Sequence, residues 1–381
     1  MGACNLTGET TGGETKKPPV EEPEDDTIPE GYIAETERGL MFDDAVGAQT
    51  YNYCPCVLVD GNTAHVWYCS SVEEAIGGDD HIAYRKGKKV KGVWYWGEKQ
   101  IVLGAESGTY YSGNICDPDV VKGEFKMKGE TYSYLMAVLG CTTKDNSANM
   151  FGFKVAKSPE GPWLDVPKIS PLYDFYEANP GYVYDGTNFN WGWGQCSLVS
   201  VDKKGKVLLF YTGRSLTSQK LEFWDFSDLD NPVGIYETDV RNNGIVDLNG
   251  EKDGICNAQF MYDEEKDRFY MLCDMHPFRT DRWPTNLPEA TRVYYLDNPT
   301  GRELGYVFQY RKLEWKQLFT LDESRTSFPH NHNCCFFRDA YGWKLAGDKL
   351  DIAYTMCTTG EDWRVLFTYR IYRYVYDLTE Q

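Results

Sequence analysis

The sequence predicts an all-β protein: a five-bladed β-propeller built mostly from four-stranded antiparallel blades. Three observations lead there. Aromatics make up 15% of the chain, with 28 Tyr and 11 Trp, and the apolar runs are short, rich in Val, Tyr and Phe, and broken by Gly, Asp and Asn; this is strand-and-turn composition. Five segments share one grammar, a polar cluster with Cys, an apolar strand, an acidic or Gly-containing turn and a second aromatic-rich strand. The cysteines near their starts, Cys54, Cys116, Cys196, Cys256 and Cys334, are spaced by 62, 80, 60 and 78 residues. Each unit then has room for two more strands, and radially arranged sheets of that size bury both faces against their neighbours.

In chain order, residues 1–30 differ from the rest. "NLTGETTGGETKKPPVEEPEDDTIPEG" is rich in Thr, Gly, Glu and Pro with only isolated apolar residues, too few to offset the entropy of ordering, so a disordered tether is expected. "MGAC" stands at its head, and Cys4 there resembles the lipidated cysteine of a bacterial lipoprotein after its signal peptide is trimmed. Residues 31–381 read as one propeller domain with blades starting near 51, 114, 193, 255 and 330. The first runs from "YNYCPCVLVDGNTAHVWYCS" through "HIAYRKG" to "GVWYWGEKQIVL". The second opens with "NICDPDVVKGEFKMKGETYSYLMAVLGC" and continues with "MFGFKVAKS" and "GPWLDV". The third, fourth and fifth open with "WGQCSLVSVDKKGKVLLFYTG", "ICNAQFMYDEEKDRFYMLCD" and "HNCCFFRDAYGWKLAGDKLDIAYTMC". The last is a strand short after "WRVLFTYRIYRYVYDL", which leaves "GYIAETERGLMF" (31–42) to close the ring. A recurring Trp-Asp signature, Asp-box repeats and the helical period of TPR or ankyrin units are all missing.

Composition excludes several functions. A formal net charge of −19 argues against nucleic acid, which needs clustered Lys and Arg to displace counterions; the one basic cluster, "YRKGKKVKG" (84–92), reads as a solvated hairpin. No run of about 18 apolar residues marks a transmembrane helix. Twelve cysteines would suggest a disulfide framework in an exported protein, but they fall on apolar strands of a domain large enough to need no staples. Reduced, buried thiols are expected, and no tight Cys-x-x-Cys or His-x-x-x-His spacing points to zinc.

Five such blades, with "DPDVV" entering the second and "KVAKSPEGPW" on its outer strands, resemble the five-bladed glycoside hydrolases of the family 43 type and their wider clan. The resemblance spans about residues 45–378. It implies an extracytoplasmic, carbohydrate-active protein that hydrolyses a glycosidic bond of an oligo- or polysaccharide in a central pocket, where carboxylates at the inner-strand starts serve as base, acid and modulator of the acid. The alternative is a propeller that kept the fold, lost that set, and binds glycan or a partner without cleaving it. Two carboxyls must ionise unequally for the hydrolysis.

Asp117 matches the blade-two aspartate of that family, and Asp119, two residues on, faces the same way in a regular strand. An Asp before Pro is also an ordinary turn former. Where the family pattern expects a base, blade one has "YNYCPC" with no carboxylate, and Asp43 and Asp44 lie ten residues upstream. Where it expects an acid, blade three has Gln195, leaving Glu177 as the nearest loop carboxylate. Candidate saccharide contacts are Tyr53, Trp191 and Trp193, whose rings suit pyranose faces, and the amides of Gln195, Asn257 and Gln259. In "SFPHNHNCC", His332 is a candidate acid or base, and His330 and Asn331 are candidate substrate contacts. The resemblance also implies a calcium ion on the central axis. Arg214, Arg279 and Arg282 carry no distinguishing signal.

Overall fold

The computed structural model describes residues 26–43, 50–71, 80–143, 147–213, 218–278, 283–285 and 287–380. Cys4, most of the 1–30 tether, Asp44, Arg214, Arg279 and Arg282 lie outside them. Blades two, three and four are four-stranded antiparallel sheets. Their inner strands are Asn114–Met127, Gly194–Ser200 and Cys256–Asp263. Blades one and five, with inner strands Asn52–Asp60 and His330–Asp339, are joined where those strands pair in parallel, Phe337 opposite Val57 and Asp339 opposite Val59. The five-bladed expectation is met.

The chain closes the ring with its N-terminal segment. Ile33–Ala34 pair with the outer strand Val93–Trp96 of blade one, and Leu40 bridges Tyr372 on the outer strand of blade five. Backbone bonds Met41 N–H to Ile371 O (3.1 Å) and Arg373 N–H to Gly39 O (2.7 Å) turn 39–41 into a fourth element of that blade. Gly39 has φ +87°, a conformation that glycine adopts without the steric penalty of a side chain.

The apolar core divides among the blade junctions. Phe210 stacks on Phe260 at 3.9 Å between blades three and four, and Phe319 on Tyr376 at 4.0 Å between four and five. Each buried ring contributes roughly 1.5–3 kcal/mol, and because alternate residues of a strand face opposite junctions, the inner strands are buried along most of their length, polar residues included. All five inner strands start at the same end of the axis. Antiparallel pairing returns the second strand of every blade to that end, so the site is assembled from three places per blade.

Candidate functional site

Each inner strand opens with the same local device. Cys54, Asp117, Gln195, Asn257 and Asn333 have φ of 47°, 49°, 45°, 46° and 44°, and each lies at a register break against the second strand. A β-bulge with a non-glycine residue in the left-handed region is strained and persists only where its surroundings fix it. Here the bulge helps bring these five residues around the axis. They line a cavity of about 30 Å³ together with Pro55, Pro118, Asp119 and Gln259, room for about one water.

Two residues further along each strand lies a second ring, Cys56, Asp119, Ser197, Gln259 and Cys335, which stitches the blades together. Val120 N–H donates to Cys56 Sγ (3.3 Å), Leu198 N–H to Asp119 Oδ1 (2.9 Å), Phe260 N–H to Ser197 Oγ (3.0 Å) and Phe336 N–H to Gln259 Oε1 (2.7 Å). Each side chain accepts from the following blade. Arg338, fully buried, donates from Nη2 to both oxygens of Asp119 at 2.9 and 2.8 Å and from Nη1 to the carbonyls of Leu198 and Phe260, while Gln259 Nε2 also donates to Asp119 (2.7 Å). Asp119 thus has its charge and lone pairs engaged inside the fold.

Asp117 stands apart in the first ring. Its backbone N–H donates to Cys69 Sγ at 2.9 Å, and Cys69 Sγ lies 3.7 Å from Oδ1. Burial pushes its carboxyl above the ordinary range, with the surrounding thiols and Gln195 acting the other way. Gln195 Nε2 donates to Asn333 Oδ1 (3.0 Å) and Asn257 Nδ2 to Asp274 Oδ2 (3.0 Å); Gln195 Oε1 and Asn257 Oδ1 are buried with no hydrogen-bond partner.

The remaining candidates divide. Tyr53 donates to Asp80 Oδ2 (2.9 Å), beside Tyr51 on Oδ1 (2.6 Å). His332 is 1% exposed, its ring 5.1 Å from that of Tyr369, and burial drives its pKa down to about 3, so the imidazole is neutral at physiological pH. His330 Nδ1 lies 3.1 Å from Pro288 O, and Asn331 Nδ2 donates to Glu289 O and Phe328 O, contacts that hold the blade-five strand start against the 288–289 loop. Trp193 packs on Tyr173 and Phe175 with centroids 5.6 and 6.2 Å apart, and Trp191 packs with Phe175 on the apolar cluster between blades one and two. Glu177 is exposed on the short helix Phe175–Ala178 and does not line the axial cavity.

Several groups were missed by reading inner strands alone. Asp274, at the end of the second strand of blade four, is 0% exposed and accepts from Asn257 and from Thr291 Oγ1 (3.0 Å); burial pushes its pKa up to about 7. Asp80 starts the third strand of blade one. An aromatic wall runs outward from His332: Tyr369 to Tyr53 at 5.7 Å, Tyr53 to Tyr51 at 5.8 Å, Tyr51 to Phe367 at 6.1 Å and Phe367 to Trp363 at 5.7 Å, ending at Trp363, 37% exposed. The available signal was topological, because second-strand ends and third-strand starts reach the same mouth as inner-strand starts.

The donor set does not fit the implied calcium. That ion takes about six to eight oxygens with compensating negative charge, whereas the ring offers one carboxylate, three amides and a thiol, and Asn333 Oδ1 already accepts from Gln195 and Asn257.

No family model matches the sequence, nor does any curated protein. Solved structures do. The chain is similar to a GH62 hydrolase in complex with xylotriose (TM-score 0.52, 9% identity, 91% of this chain and 96% of that one). It is also similar to a family 117 glycoside hydrolase of the marine bacterium Zobellia galactanivorans (0.50, 11%, 90% and 88%), and to the catalytic domain of the Coprinopsis cinerea GH62 α-L-arabinofuranosidase (0.50, 10%, 90% and 95%). These likenesses establish the fold of the propeller glycoside hydrolases.

Proposed function

We propose that this chain is an extracytoplasmic carbohydrate-active protein that holds an oligo- or polysaccharide at the axial mouth without cleaving it by the usual carboxylate set. One observation carries the reading: among five structurally equivalent inner-strand positions, Cys54, Asp117, Gln195, Asn257 and Asn333, one alone is a carboxylate. Asp119, the nearest second carboxylate on that strand, is locked to Arg338, and His332, neutral above about pH 3, is not an imidazolium donor. What remains is a binding surface. Trp363, Phe367, Tyr51 and Tyr53 offer partly exposed rings, with the two tyrosine hydroxyls held on the buried Asp80, and flat rings with polar edges suit sugar faces and hydroxyls. The placement outside the cytoplasm, with a lipid on Cys4, rests on the tether, and intact-mass analysis of membrane-extracted protein tests it.

A second reading, hydrolysis, is favoured by Asp274, whose pKa pushed up to about 7 would keep a proton available to a leaving group in the same mouth as the Asp117 carboxyl. Screening a glycan library for binding and for new reducing ends, with the parent, Trp363→Ala and Asp117→Asn, separates the two. Binding without cleavage, weakened about tenfold or more by Trp363→Ala, is the expected result. New reducing ends that disappear in Asp117→Asn would establish the hydrolase instead.

A further inference from the structure

We propose that Cys54, Cys69 and the carboxylate of Asp117 bind one divalent ion of the zinc class, with a fourth position open to the axial cavity. One ligand atom from each lies within 4.8 Å of the others. A tetrahedral zinc with its usual bond lengths sets ligand atoms about 3.5–3.8 Å apart, so closing the trio on an ion takes side-chain adjustments of about 1 Å or less. The chemistry of the set is specific: two sulfurs and one carboxylate select a soft or borderline ion over calcium or magnesium.

The surroundings point to an ion independently of the trio. Asp117 N–H donates to Cys69 Sγ at 2.9 Å, the kind of outer contact that orients a thiolate ligand. Cys54 is held by its own N–H on Thr355 Oγ1 (3.1 Å) and keeps partial exposure, which gives an ion a way in. Gln195 lines the same cavity, is 8% exposed, and its Oε1 has no hydrogen-bond partner; a buried amide oxygen of this kind calls for an explanation. An ion held by the trio, with the Gln195 oxygen or a water in its open position, supplies one. Binding converts the two thiols to thiolates and releases their protons to solvent, with no oxidant or reductant required. The inference is independent of the saccharide reading.

Cobalt(II), a spectroscopic stand-in for zinc, tests it on the full chain after phosphine reduction and chelator treatment. The expected result is one equivalent of Co²⁺ giving a sulfur-to-cobalt charge-transfer band, displaced by one equivalent of Zn²⁺. Cys54→Ser and Cys69→Ser should each weaken binding at least tenfold, Asp117→Asn should weaken it while retaining the sulfur band, and Cys357→Ser, in blade five, should bind like the parent. The parent spectrum decides the matter even if a variant fails to fold: the proposal falls if reduced parent shows no charge-transfer band. It also falls if folded Cys54→Ser binds like the parent, or if peptide mapping finds Cys54 and Cys69 bridged and resistant to reduction.

Discussion

Asp274→Asn isolates the titration of one buried carboxyl. Asp274 has no solvent exposure, accepts 3.0 Å hydrogen bonds from Asn257 and Thr291, and has its pKa pushed up to about 7 by burial. In the unfolded chain the same group titrates near 4. Between those values the native state holds a proton that the unfolded state has released, so this group's contribution falls as pH rises through the window and levels off above about 7. A shift of about three units corresponds to about 4 kcal/mol. The amide substitution keeps the shape and removes the titration, and any mismatch in hydrogen bonding adds an offset that does not vary with pH. Urea unfolding followed by Trp fluorescence at pH 4, 5.5, 7 and 8 should show Asp274→Asn gaining on the parent by up to about 4 kcal/mol between pH 4 and 7.5. A parent-to-variant difference that is flat across that range would refute the account of Asp274 as a carboxyl held neutral by burial.

Arg338→Met should cost about 3–5 kcal/mol because it leaves Asp119 buried without its countercharge, and Arg338→Met with Asp119→Leu should recover most of the loss; a single variant within about 1 kcal/mol of the parent by urea unfolding contradicts the axial lock. For His332 the sign is reversed. Its folded pKa of about 3 lies below the unfolded value, so the stability it allows is full above about pH 6.5 and lost as pH falls toward 3, and His332→Phe should flatten that acid limb. Gly39→Ala, at φ +87° and against the backbone of Arg373, should cost about 1 kcal/mol or more and speed amide exchange at Met41 and Arg373.

The architecture was legible because it repeats. Cysteines near each inner-strand start, apolar strands and acidic turns recur in an order that a reader can count. Asp117 was legible for the same reason, standing at a strand mouth before Pro118. Asp119 was not: its partner Arg338 lies 219 residues away in the chain, and strand alternation alone could not distinguish a carboxylate facing a pocket from one locked to a buried guanidinium. His332 was readable as an imidazole at a mouth, while its neutrality follows from burial against Tyr369.

By itself, then, the sequence determined five radial sheets, their order and the identity of the residues opening each inner strand, because local patterning and period are written in neighbouring residues. Only the tertiary structure decided which groups share a cavity. Asp80, Asp274 and Cys69 come from second and third strands that return to the axial end by antiparallel pairing, and closure of the ring brings them beside residues far away in the chain. Burial there sets which carboxyls keep their protons, a quantity that depends on every blade at once.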